Sequence, residues 1–328
     1  MFPQSHTQNA YLVSYLKTLE SEFLDQNNFE RMIEAKDGEE ALGVLNETNY
    51  GQYLGEMKNA RDFDLALGES LSSAKEAILE LFTPRERLDI LWLKYDFLNA
   101  KSLLKAKLSG EETGQLNNLG KIPLADLREA IFEGKSKKLP WGLDKAIGAA
   151  GAAFAQTSKP QEIDAILDGQ YLEVFGQEIK KIKSPILNDF LRREIDLFNI
   201  KTYFRLQDDE VCGENIFLAG GLIPLRRFRK TGKEDKLIRS IEDFSEAKEF
   251  GDLRARVEKG GLLSLELEGR KILLAILEAA HYKILGIEPV FAFWQTKAEE
   301  TKMIHKILAM KNAGIAPAEI HRIVGAVI

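Results

Sequence analysis

A chain of 328 residues with 45% hydrophobic and 29% charged side chains can bury a large core, in more than one unit, and is no candidate for disorder. Its formal charge of −6 speaks against nucleic acid as the main partner, which would need a basic footprint. The single cysteine, Cys212, excludes an internal disulfide or a cysteine-based zinc site, and no apolar run approaches the ~20 residues that span a bilayer.

From the N-terminus, MFPQSHTQNAYLVSYL lacks a basic region followed by an apolar block, so no secretory signal is expected and a cytoplasmic protein is. Leu12, Tyr15, Leu16, Leu19 and Phe23 fall at helical spacing. Phe29, Met32 and Ile33 open a second helix, and Ala41, Leu42 and Leu45 a third that ends near Asn49-Tyr50-Gly51. Ser70 to Phe82 predicts a fourth. Thr83-Pro84-Arg85-Glu86 then offers an N-cap hydroxyl, a proline at the first helical position and a glutamate three on, the start expected for a long helix running to Gly110.

That long helix is repeated. Leu91, Asp96, Asn99, Lys101 and Lys105 recur at one constant offset as Leu191, Asp196, Asn199, Lys201 and Arg205, giving D-x-x-N-x-K-x-x-x-[KR] twice. A third, worn copy follows Glu288-Pro289, where Glu300, Lys302 and Lys306 take the Asn, Lys and Lys/Arg positions and Lys297 takes the Asp position. Gly120-Lys-Ile-Pro-Leu124 and Gly221-Leu-Ile-Pro-Leu225 each follow a copy of the helix. A period of about 100 residues is too long for a solenoid repeat of roughly 20 to 50 residues. It predicts one helical module used three times, over 1–119, 120–220 and 221–328.

Within the second module, Leu124 to Ile131, Trp141 to Phe154 and Ile163 to Phe175 read as helices, and Gly148 and Gly151 predict a close helix crossing, with a ligand pocket as the alternative. In the third, helices are expected near Leu237 to Phe244 and over Leu262 to Leu285, with Glu249-Phe250-Gly251 echoing Asn49-Tyr50-Gly51 and Pro317 opening a short terminal helix. No alternating pattern suggests a strand, so the expected class is all-α.

Asn99 and Asn199 lie in or beside an apolar stripe, where an amide needs partners, and the expected use is to fix register between packed helices. A hard metal ion would need several oxygens gathered at one point, whereas these Asp/Asn pairs come one to a module. Lys101, Lys201 and Lys302 read as solvated charges near helix C-terminal halves, with a shared interaction surface as the alternative. Arg226 and Arg227, in RRFRK with Lys233, form the strongest basic cluster, either a solvated face or a dock for an acidic partner or lipid headgroups. The histidines at 6, 281, 305 and 321 lack metal-ligand spacing and adjacent carboxylate partners in sequence, and neither a P-loop nor a G-x-S-x-G elbow is present. No catalytic, cofactor or metal residue is expected.

LKYDFLNAKSLLKAKLSG (93 to 110), FLRREIDLFNIKTYFRLQ (190 to 207), FLAGGLIPL (217 to 225), GIEPVFAFWQTKAEETKMIHKIL (286 to 308) and Asn46 to Gly51 together give the chain a family resemblance. It resembles, over nearly its whole length, the C subunit of archaeal and bacterial V/A-type ATPases, the counterpart of the d subunit of the eukaryotic vacuolar ATPase. The resemblance implies a non-enzymatic rotor part: an all-helical funnel with pseudo-threefold symmetry, on the cytoplasmic face of the membrane ring of proteolipid subunits, receiving the central shaft of subunits D and F. Two rival classes follow from the residues alone. One is a helical scaffold unrelated to rotary ATPases; the other is a helical metal enzyme, which would require Asp96, Asn99, Asp196 and Asn199 to converge.

Overall fold

The computed structural model describes residues 4–55, 63–114, 116–133, 138–205, 217–229 and 253–324, and among these residues all regular structure is helical. The chain divides into two compact units, Met1–Glu86 with Glu266–Ile328, and Arg87–Leu265. The predicted helix at 237–244 and the echo at 249–251 lie outside the described residues, as do Cys212, Lys230 and Lys233.

Unit 1 begins with α1 (Gln4–Glu20), α2 (Gln26–Glu34), α3 (Gly38–Asn46), the single turn α4 (Gly51–Leu54) and α5 (Phe63–Leu81). Polar caps start α2 and α3. Asp25 and Asn28 form a reciprocal capping box at the start of α2, and Asp37 accepts from the Glu40 N–H at 3.0 Å to start α3. The shared partner of α1, α2, α3 and α5 is α13 (Glu288–Asn312), which also touches α14 (Pro317–Val324). Five successive residues of α13, Val290 to Trp294, are buried, so this helix is apolar all round over its first turns because it is surrounded. Met32, Ile33, Leu45 and Phe63 interlock with Ile304, Ile307, Leu308 and Ile320, so this core joins two stretches far apart in sequence. Each fully buried aliphatic side chain of this kind contributes about 1.5 to 3 kcal/mol.

Unit 2 contains α6 (Asp89–Ser109), α7 (Leu124–Phe132), α8 (Leu143–Thr157), α9 (Pro160–Ile182), α10 (Pro185–Arg205) and the turn α11 (Arg226–Arg229). The central element is α9, packed against α6, α8 and α10. α12 (Leu253–His281) has a non-helical break at Gly261, and its residues from Glu266 belong to unit 1.

Two local expectations are corrected. The long helix does not begin at Thr83: a 3₁₀ turn at Arg85–Leu88 intervenes, and α6 starts after Leu88 without a side-chain cap. The Thr83 backbone is instead held by Asn9 of α1, whose amide donates to Thr83 O at 2.7 Å and accepts from Thr83 N at 3.0 Å. Its counterpart Ser184 does cap α10, accepting from the Leu187 N–H at 3.4 Å.

Gly148 and Gly151 do not sit at a helix crossing, because a Cβ built on either meets nothing within 4 Å. Buried Ala146 and Ala150 serve the contact face of α8 instead. Gly148→Ala is therefore expected to stabilise the protein by about 0.5 to 1 kcal/mol, since it gains helix propensity without a clash. A denaturant midpoint that falls in this variant would restore the crossing.

Candidate functional site: side chains that hold loops

Asp96 and Asn99 stand one turn apart on α6 and are 0% and 2% exposed. Asn99 binds loop backbone and not a neighbouring helix, which corrects its expected register role. Both bind backbone of the loop that leads into α7. Asp96 Oδ2 accepts from the Lys121 N–H at 2.9 Å and Oδ1 from the Ile122 N–H at 2.8 Å. The Asn99 amide donates to Asn117 O at 2.7 Å and accepts from Asn117 N at 2.9 Å. A short connector thereby has four of its backbone groups satisfied by one helix turn, which removes the cost of burying them unpaired.

The second copy repeats this arrangement atom for atom. Asp196 Oδ2 accepts from the Leu222 N–H at 2.8 Å and Oδ1 from the Ile223 N–H at 3.0 Å. Asn199 donates to Leu218 O at 2.9 Å and accepts from Leu218 N at 2.8 Å. The repeated glycines belong to the same device. A Cβ on Gly120 would lie 2.3 Å from Asp96 Oδ1, and one on Gly221 would lie 2.1 Å from Asp196 Oδ1. The carboxylates can reach the next two N–H groups only because those positions have no side chain.

The third copy keeps the function and changes the chemistry. Glu300, at the Asn position of α13, accepts from the Leu24 N–H at 2.6 Å through Oε1. Leu24 lies in the loop before α2, just as the other two clamped loops lie before α7 and α11. Glu300 Oε2 accepts from the Tyr50 hydroxyl at 2.6 Å and from Lys297 Nζ at 3.0 Å. Lys297, which replaces the aspartate, donates to the Tyr50 oxygen at 2.8 Å and lies 4.1 Å from the centre of that ring. Phe23 stacks on Phe293 with centroids 5.6 Å apart and closes the loop over the clamp. Burial first, and then the Glu300 charge, hold the Tyr50 phenol well above its ordinary value, so it remains a donor. This accounts for Asn49-Tyr50-Gly51: Tyr50 enters the clamp, while a Cβ on Gly51 would come within 2.4 Å of Asn46 O.

The other singled-out residues are dispersed. Lys101 is mostly buried and pairs with Asp168 of α9 at 2.6 Å, and Lys105 pairs with Asp164 at 2.7 Å, so both tie α6 to α9. Lys201 is half-buried. Lys302 is exposed, 3.8 Å from Glu299. Arg226 is exposed and Arg227 half-buried on α11. Each Asp/Asn pair grips its own loop, and no group of three or more His, Cys, Asp or Glu among the described residues could hold a metal ion.

Sequence reasoning missed Asn9, a buried amide one turn before Leu12 and Val13 on the apolar face of α1. It also missed Lys311, a buried ammonium that donates to Ala35 O at 2.6 Å and whose pKa burial lowers. No helix among the described residues is long and apolar enough to cross a membrane.

The family model for the ATP synthase (C/AC39) subunit matches residues 12–323. Among similar proteins, the C subunit of the A-type ATP synthase of Methanocaldococcus jannaschii is 25% identical over 95% of this chain and 84% of its own length. The C subunit of the V-type ATP synthase of Thermus thermophilus is 24% identical over 95% of this chain and 96% of its own. For the C subunit of the V-type sodium ATPase of Enterococcus hirae the values are 26%, 89% and 90%. With the match running nearly end to end across all three clamps, the chain belongs to the ATP synthase (C/AC39) subunit family.

Proposed function

We propose that this protein is a non-catalytic rotor subunit of a V/A-type ATPase or ATP synthase. In this role it is the socket that joins the central shaft of subunits D and F to the membrane proteolipid ring, on the cytoplasmic side, and transmits rotation for ion transport. Its three modules, 1–119, 120–220 and 221–328, close into a funnel around the shaft.

The observation that carries the proposal is the order of the clamps. The long helix of the first module holds a loop at the start of the second, and that of the second holds a loop at the start of the third. The long helix of the third, through Glu300, holds a loop of the first, the one after α1. A repeat whose last copy binds its first in the same way as neighbours bind each other suits a closed collar better than an open array. A socket that turns with both neighbours needs such tied-down connectors, and its interfaces are expected to reach roughly 2,000 Å² or more in total.

The test is reconstitution of the complex with and without this chain. Loss of coupling between ATP hydrolysis and ion pumping on omission, restored by adding the chain back, is the expected result. Fully coupled pumping in its absence would refute the socket role.

A further inference from the structure

We propose that the seam inside unit 1, where the N-terminal stretch meets the C-terminal stretch, is a proton-dependent latch that tightens as pH falls from about 8 to about 6. All four histidines of the chain belong to unit 1. The three at 281, 305 and 321 lie on the C-terminal stretch, and each meets a carboxylate on the N-terminal one. No sequence spacing predicts these pairs.

His281 Nδ1 of α12 is 2.9 Å from Glu20 of α1. His305 Nδ1 of α13 is 2.5 Å from Asp64 of α5. His321 Nε2 of α14 is 3.0 Å from Glu34 and 3.4 Å from Glu30, both on α2. Three separate helix pairs thus place an imidazole against a carboxylate across one joint, and at His281 protonation turns a charge–dipole contact with Glu20 into an ion pair.

At His281 the surrounding charges mostly favour this. His281 also faces Glu278 of its own helix, with Lys17 of α1 as the opposing charge. Asp64 of α5 faces His305, which also lies against the Phe63 ring at 5.6 Å. Glu34, which faces His321, also attracts Lys311 across the same seam. The hydrogen bond to Glu20 raises the His281 pKa, opposed in part by burial. A histidine whose folded value is raised adds stability that is complete below its ordinary value and is lost as pH rises through the raised one. The joint is therefore tighter in mild acid and opens more often in mild alkali. Core packing holds it together in both, so the latch sets the frequency of opening. It needs only contacts inside unit 1, and neither shaft nor ring takes part in it.

Hydrogen exchange on the full chain at about pH 6 and about pH 8, corrected for intrinsic exchange, tests this. Peptides from α1, α2 and α5 are expected to open roughly three- to tenfold less often at the lower pH. Those from α8 and α9, in the unit without histidine, should change by less than about twofold and serve as the internal control. In the triple variant His281→Gln, His305→Gln, His321→Gln the difference should disappear. Should that variant not fold, His281→Gln alone is expected to lose a part of it. A wild-type chain with no pH difference in unit 1, or variants that keep the whole difference, would overturn the latch.

Discussion

Asp196→Ala is expected to destabilise the protein by about 3 to 5 kcal/mol, because it strips two loop N–H groups of a charged acceptor. The Ile223 N–H belongs to a residue 2% exposed, so water cannot readily replace the carboxylate there. Gly221→Ala should cost about 2 to 4 kcal/mol for a different reason: its Cβ would lie 2.1 Å from the same carboxylate oxygen, and either the loop or the aspartate has to move. The two costs share one cause. In the double variant the clash disappears with the carboxylate, so its destabilisation should fall short of the sum by about 1 to 3 kcal/mol. Urea unfolding of the four proteins gives the cycle. Additive effects, or an Asp196→Ala cost below about 1 kcal/mol, would mean that aspartate and glycine are not one device. The equivalent cycle on Asp96 and Gly120 should behave alike, since the distances match.

The all-α class and most helix positions were legible because apolar residues recur at helical spacing, as at Leu12, Leu16 and Leu19. The importance of Asp96, Asn99 and their copies was legible too, since a motif repeated at constant offset reveals itself without any homologue. What the motif does was not. Its partners are backbone N–H and C=O groups, which every residue possesses, so nothing in Asn117 or Leu218 marks them as bound. Only Gly120 and Gly221 carried a trace, and its meaning needs the Cβ position. The Thr83-Pro84 start misled because a local cap signal lost to a distant contact: Asn9 holds that backbone across most of the first module. Gly148 and Gly151 mislead for the opposite reason, since a glycine is compatible equally with a close crossing and with open space. Glu300 is harder still. Its loop partner is Leu24, 276 residues away, and its chemical partners Tyr50 and Lys297 replace the aspartate pattern of the other copies. The histidine pairs share this difficulty, because each joins residues more than 240 positions apart.

Glu300→Ala should be as damaging as Asp196→Ala, at about 3 to 5 kcal/mol, because it leaves the Leu24 N–H, the Tyr50 hydroxyl and a mostly buried Lys297 ammonium without their shared acceptor. The uncompensated cation dominates that cost. Replacing both members of the ion pair, as in Lys297→Met with Glu300→Leu, is expected to recover part of the loss, as buried ion pairs often exchange for apolar contacts at little cost. Tyr50→Phe keeps the ring over Lys297 and removes one donor, so it should cost only about 1 to 2 kcal/mol. Location separates this clamp from the others. Hydrogen exchange in Glu300→Ala should rise in α1 and α2 and leave α6 to α10 unchanged, whereas Asp196→Ala should do the reverse, because each clamp and its loop lie within one unit. If the third clamp also closes a collar around a shaft, assembled complexes carrying Glu300→Ala should hydrolyse ATP with ion transport partly uncoupled. Lys302→Ala, an exposed change two residues along the same helix, should leave coupling intact. Equal coupling in the two variants, with α1 and α2 loosened only in the first, would keep the clamp as a stability element and remove it from the transmission of torque.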